Sequence, residues 1–483
     1  MIALLNLHVA GATESEAPWK DIARADIAAV DGWVRGLYPA MEDPANPQFT
    51  LQWKNAVDLA ESRSETISSH TDWLHVMSAL MRSARDGHVA FRPNSQPETV
   101  AWAGLALEKR GNQYIARTVV NGSLAVEKRI PDEAALLGCD GKVADKVLEE
   151  HLDLFVANWK VPAERTYTAS QLFVDTGNPF VDRPGQCRFR SRNGKLHDIE
   201  LAWHEASQAT LADALKPFQR IRQQRSKIEL AFSDDGAAWI TLGNLGDYAA
   251  ISSLQSRLES RRDEILSAPY LVWDLRGNGG GDSSLADKLA ITLWGKIVAP
   301  AQAATANGKR WRASALSIET VKTIRNQVAN SPNPNPGLLA AADKLIPALE
   351  AALKEGQPFA TVSLTAPETR GDNVHAVSAP EHSNPVLVLT DAGCFSSCIN
   401  ALYMLKRMGA VHVGEPTRKN SIYGESWFVR KLPSGKGMVM LPMAIEPQSR
   451  DQLGGDTPDI EWTGAAEDEA GLKAMIAENA AGM

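Results

Sequence analysis

Two stretches of this chain share one pattern: a short apolar run, a turn of small residues, then apolar positions at helical spacing. In the first, YLVWDL at 270–275 passes through RGNGGGDSS into a helix expected over 285–294. In the second, VLVL at 386–389 passes through TDAGCFSSC to Ile399, Leu402, Leu405 and Met408. An apolar run without polar alternation needs cover on both faces, as parallel strands have. Strand, turn and helix repeated in this order predict an α/β core with both turns at the carboxyl edge of one sheet. Ser396 and Ser397 stand in the second turn, where a hydroxyl can project from the sheet edge beside the unpaired first amides of a helix. That placement suits an acyl-transfer nucleophile; a serine-rich helix cap has the same local sequence.

A chain of 483 residues, 44% hydrophobic and 22% charged, has ample material for a large core and about two to four domains. Its formal charge of -8, without a Lys/Arg cluster, argues against a nucleic-acid partner and accommodates an uncharged or cationic one more easily. No window approaches the length of apolar chain needed for a transmembrane segment. The start, MIALLNLHVAGATESEAPW, has a short apolar segment ending in small residues like the end of a secretory signal, yet lacks a positive n-region. It reads equally as a clipped or misassigned start or a short strand. Cys139, Cys187, Cys394 and Cys398 fit a periplasmic protein with one disulfide or a cytosolic one with buried thiols. Cys394 and Cys398 have a metal-ligand spacing but no second Cys or His pair nearby, so no metal is expected.

Residues 18–84 show helical periodicity, with a proline-broken turn in YPAMEDPANPQF. The third helix, over 72–83, runs into ARDGHVAF, which puts His88 at a helix-to-strand junction. A lone histidine there is as readily a surface or core residue as a functional one. Residues 99–204 turn to short strands, with a helix from 145 to about 158 and a hairpin formed by CRFRSRNGK and HDIELAW. ALLGCDGKV at 135–143 resembles the strand and turn before the last helix of PDZ-like domains, which bind extended peptides by strand addition. A structural β insert reads the same way. From 228 the α/β rhythm begins, with a helix expected over 251–266. The glycines of RGNGGG match neither the P-loop nor the dinucleotide fingerprint, so no nucleotide cofactor is expected. Residues 298–385 read as an insertion with a proline-rich joint and a long helix over 338–353. Within it Trp311 and Arg312 are candidates to cap a substrate cleft.

Taken together, ARDGHVAF, YLVWDLRGNGGG, TDAGCFSSCINAL with VGEPT, and the later TPDI resemble the serine peptidases that include the C-terminal processing (tail-specific) proteases, the tricorn core protease and the interphotoreceptor retinoid-binding protein. The resemblance covers most of the chain apart from 298–385. It implies an α/β fold with a ClpP/crotonase-like spiral core of β-β-α units over 216–483, an N-terminal helical region over 1–95 and an inserted PDZ-like β-rich module over 96–215. Laid on the family motif, Ser396 becomes the nucleophile and Ser397 lends an amide to the oxyanion hole. The second donor comes from Gly280, with Gly279 close behind. One branch of the family takes a lysine as base three residues after the threonine of GEPT. That position is Asn420 here, and the adjacent Lys419 would face the opposite way on an extended segment. The tricorn-like branch draws a histidine from the N-terminal region, where His88 lies, so His88 is the expected base. Asp451 and Gln452, just before TPDI, are the candidates to complete the site. Phe395 and Ile399 depart from the family motif, and Phe395 is expected at the substrate side.

The expected activity is therefore hydrolysis of peptides or unfolded protein tails through an acyl-enzyme, with no cofactor and in the periplasm or outside the cell, otherwise in the cytoplasm. Two other classes share parts of the pattern: a catalytically silent protein that binds apolar ligands or peptides, and an acyl-CoA enzyme of crotonase type. The first would be marked by a missing serine or base, and the second needs neither a serine nucleophile nor DGH. The oligomeric state has no mark in the sequence.

Overall fold

The structure is a computed structural model that describes residues 18–119, 130–131, 133–215, 227–295, 308–364, 384–419, 421–445, 455–465 and 467–483. The start of the chain, read above as a leader or a strand, lies outside these residues.

A six-stranded sheet forms the centre of the α/β part. Its strands are β1 (Ile228–Phe232), β2 (Ala238–Leu242), β3 (Leu271–Asp274), β4 (Val386–Thr390), β5 (Val411–Gly414) and β6 (Ile460–Glu461), which neighbour one another in chain order. β1 is antiparallel to β2, and every later pair is parallel. All of β3 and β4 is buried, as unalternating apolar runs require. Successive residues face opposite layers. Trp273 and Val388 pack under helices Tyr248–Ser260, Ser283–Trp294 and Ser397–Arg407, whereas Val272, Leu387 and Leu389 meet helix Glu469–Ala481 on the other side. Asp274 pairs with Leu389 and Thr390 with Gly414, so the chain leaves β3 and β4 side by side at the same edge. Instead of one helix over 251–266 there are two, Tyr248–Ser260 and Arg262–Ser267, separated at Arg261.

The N-terminal helices Trp19–Leu37, Phe49–Ser64 and His70–Arg82 follow the apolar periodicity of the sequence. The last is opened by a capping box, in which Ser69 and Asp72 satisfy each other's backbone amides. These helices do not form a core alone. Ile27, Trp53, Trp73 and Met77 share one with Trp311, Val321 and Leu345 from the 298–385 segment and with Tyr423, Phe428 and Leu441. Two small sheets connect these regions: Phe359–Val362, Lys309–Arg312, Ala444–Ile445 and Tyr423–Gly424 in one, and Ala90–Pro93, Gly437–Leu441 and Phe428–Lys431 in the other.

Residues 105–200 hold a six-stranded antiparallel sheet packed on helix Ala144–Leu152. The anticipated hairpin is present as Gln186–Arg190 against Leu196–Glu200. The helix stops at Leu152, short of the expected 158, because Asp153 turns away to pair with both guanidinium nitrogens of Arg85 and to accept the Trp159 amide. Cys139 and Cys187 lie opposite each other on paired strands and are joined by a disulfide. Replacing Cys139 by serine in the oxidised protein should destabilise it by about 2–4 kcal/mol, the usual range for a loop of this kind. Thermal denaturation with and without reductant checks this, since the variant should lose most of its sensitivity to reduction of that bond.

Candidate active site

Ser396 immediately precedes helix Ser397–Arg407 and has φ 57° and ψ -124°, a conformation rare for a residue with a side chain. Holding it there costs on the order of 1–3 kcal/mol. A serine acting as a helix cap would be extended and would accept an amide of the first turn. Ser396 makes no such bond. The conformation is fixed from several sides. The Phe395 amide donates to the Asn278 carbonyl (3.0 Å), and the Ser397 hydroxyl donates to the Gly281 carbonyl (2.6 Å). A disulfide joins Cys394 to Cys398 around the serine. Both cysteine pairs are therefore disulfides, where the sequence left one disulfide and buried thiols equally open, and the second occupies the positions considered for a metal.

The glycine turn after β3 abuts this bend. Gly280 has φ 103°, and a Cβ on it would stand 2.8 Å from the Cβ of Ser396 and 3.0 Å from the Ser397 amide nitrogen. Only glycine permits that approach. The Gly280 amide donates to Asn278 Oδ1 at 2.9 Å, while Asn278 Nδ2 donates to the Leu242 carbonyl at 2.7 Å. Gly279, the exposed neighbour, has open space around its α-carbon. Asp391 joins the two turns, accepting the Gly277 and Gly393 amides on one oxygen, each at 2.8 Å. Burial pushes its carboxyl above the usual carboxylate range.

His88 arrives from 308 residues away in sequence. Its Nε2 lies 3.0 Å from Ser396 Oγ, and its Nδ1 lies 2.7 Å from the Tyr423 carbonyl oxygen. A carbonyl only accepts, so Nδ1 carries the hydrogen. In the neutral ring, Nε2 is then left with a lone pair directed at the serine hydroxyl. The strand after His88, Ala90–Pro93, pairs with Gly437–Leu441, and this pairing brings the DGH turn beside Tyr423. Asp86 braces the turn: it accepts the His88 amide at 2.8 Å and the Tyr38 hydroxyl at 2.7 Å. Burial raises the Asp86 carboxyl above its ordinary range, and the charge of His88 works in the opposite direction. Burial, then the nearby Asp86 charge, pushes the Tyr38 hydroxyl well up.

The other candidates fall in different places. The Phe395 ring stands 4.7 Å from that of His88. Trp311 is wholly buried in the helical core, 5.1 Å from the Trp427 ring, and so has no face toward a cleft. Arg312 is turned to Glu42 and to the Ala313 and Pro358 carbonyls. Lys419 is buried, with Nζ 3.1 Å from the Tyr403 hydroxyl, which in turn donates to Asp456 at 2.5 Å. Asp451, Gln452 and Asn420 lie outside the described residues. Sequence reasoning missed the Tyr423 carbonyl, because a main-chain acceptor leaves no residue signature. It also passed over Asp86, whose place two residues before His88 was a usable signal.

Gly280→Ala should destabilise the protein by at least about 1–3 kcal/mol, since it joins a close contact to a left-handed backbone. Chemical denaturation of the two proteins measures the difference, which should be far smaller for Gly279→Ala.

No family model matches the chain, and no curated protein does. Among solved structures, mature CPAF aligns at 14% identity over 95% of this chain and 96% of its own, with a TM-score of 0.60. Mature CPAF complexed with lactacystin aligns at 13% identity over 96% and 99%, with a TM-score of 0.59. A photosystem II D1 C-terminal processing protease also matches, at 12% identity over 92% and 94%, but its TM-score of 0.34 is too low to bear on the fold. Over nearly the full length of both chains, this protein has the fold of CPAF.

Proposed function

We propose that this protein is a serine peptidase that cleaves peptides or protein tails through an acyl-enzyme at Ser396. The observation that carries this is the His88 ring, held by the Tyr423 carbonyl with Nε2 at 3.0 Å from the serine oxygen. His88 takes the hydroxyl proton as Ser396 Oγ attacks the scissile carbonyl, then gives it to the leaving amine as the C–N bond breaks. Water, deprotonated by the same imidazole, releases the acyl group. The Ser397 amide is one donor for the oxyanion. The second comes from the glycine turn, where Gly279 is the freer choice while Asn278 holds the Gly280 amide. Losing one such donor typically costs about a hundredfold to a thousandfold in rate. Asp451 or Gln452 remains the proposed addition to the site.

The parallel order of β2 to β6 supports reading the sheet as a ClpP/crotonase-like spiral, and the 96–215 strands with helix Ala144–Leu152 support a PDZ-like module. The core that residues 308–364 share with the N-terminal helices supports reading that stretch as part of the helical region more than as a separate lid. Two disulfides favour an oxidising compartment, periplasmic or extracellular.

Wild-type protein should be labelled covalently by a fluorophosphonate, and Ser396→Ala should abolish both labelling and peptide hydrolysis. His88→Ala should lower hydrolysis by at least about a hundredfold, the scale of general base catalysis. Full activity in either variant would remove this mechanism. Lys419→Met should lower stability, because it strips a partner from Tyr403, but it should leave labelling of Ser396 in place. Silencing by that change alone would move the base to Lys419.

A further inference from the structure

Two arginines stand beside this site without acids of their own. The Arg418 amide donates to the Cys394 carbonyl at 2.9 Å, which ties it to the nucleophile turn. Its guanidinium carbon lies 4.9 Å from the Phe395 ring centre and 5.8 Å from that of Tyr167. Tyr167 belongs to helix Pro162–Thr168, which reaches across from the β-rich module and packs through Val161 and Ala163 on Ala392. Phe395 in turn touches His88, so Arg418 is two ring contacts from the imidazole, within about three extended residues of it. Arg82 ends the helix that leads into DGH and keeps contact with solvent. Burial chiefly holds the Arg82 guanidinium below its ordinary value; Glu164 opposes this and the Arg418 cation adds to it.

Among the described residues, neither side chain takes part in an ion pair or donates a side-chain hydrogen bond, and the Arg418 Nε is buried without an acceptor. The other arginines around the site differ. Arg85 is clasped by Asp153, and Arg276 by Asp274 and Glu469. Glu164 attracts Arg82 but is itself committed to the Asn158 amide, and Glu415 accepts the Ala392 amide. A guanidinium stacked on aromatic faces keeps its N–H edges available for a planar, bidentate acceptor. The whole chain carries -8 and would favour a cationic partner, yet this pair reverses the sign locally.

We infer that Arg82 and Arg418 form a cationic wall of the Ser396 cleft that selects substrates carrying a carboxylate close to the bond to be cut. This rests on the peptidase reading. It assigns both arginines to specificity, and the acidic group is a substrate side chain or a chain terminus.

The test uses the full chain and pairs of peptides that differ by Asp against Asn, or Glu against Gln, at each position within three residues of the cleaved bond. A further pair compares a free with an amidated C-terminus. Wild type should favour the acid of a pair by about tenfold to a hundredfold in kcat/KM, chiefly through KM. Arg82→Gln and Arg418→Gln should each reduce that acid-to-amide ratio, and the double variant should bring it near one. A preference among internal pairs assigns the wall to side chains, and one confined to the terminal pair assigns it to the chain end. A wild-type ratio near one, or a ratio unchanged in both variants, overturns the inference. Fluorescence anisotropy on Ser396→Ala gives the same ratio for binding alone. Absent labelling and cleavage would therefore sink the peptidase reading, while the binding ratio still judges the arginines.

Discussion

The site depends on a serine held in a backbone conformation that its own side chain disfavours. At φ 57°, Ser396 would relax into an ordinary helix start if its neighbours let go. The hold is distributed: Asn278 takes the Phe395 amide, Gly281 takes the Ser397 hydroxyl, and the Cys394–Cys398 disulfide closes over the bend. Asp391 reaches both turns with one oxygen. Each tie crosses between the chain after β3 and the chain after β4 or spans the bend itself, so the parallel pairing of those strands is what makes the conformation affordable.

The imidazole is positioned by a second, largely independent structure. His88 is fixed by the Tyr423 carbonyl at one nitrogen and by Asp86 at its amide, and the DGH turn is anchored through Tyr38 to the helical core. Tyr423 itself donates to Asp43 at 3.0 Å and sits edge-on to Tyr38. Ser396, the proposed nucleophile, therefore belongs to the sheet, and His88, its proposed base, to the helical region. Helix Pro162–Thr168 of the β-rich module, with Val161 just before it, packs on Ala392 of the turn that carries Ser396.

Much of this was legible in residue order. The buried strands, the glycine turn and the helix after Ser396 follow from apolar periodicity, and ARDGH marked His88 before any contact was known. Other features were not. The helix after Ala144 ends early because Asp153 answers Arg85, a partner 68 residues away that local periodicity cannot register. Trp311 was a candidate to cap a cleft, but strand pairing turned it into the helical core. The disulfide across the nucleophile turn escaped because a pair of cysteines four residues apart reads as well as thiols or metal ligands.

The sequence by itself determined which residues could react. Serine at a strand-to-helix turn, glycine at φ above zero and histidine beside a helix end are local properties, fixed by side-chain chemistry and backbone freedom. The tertiary structure decided which of them meet. The tautomer of His88 comes from a main-chain carbonyl 335 residues away, and Lys419 is turned toward Tyr403 by the packing of its own loop. The two uncompensated arginines become a pair only when the helix before DGH and the loop after Thr417 close on one cleft. Hydrogen bonds and charge act over a few ångströms of space, and the distances that decide them are set by strand pairing and core packing between segments far apart in the chain.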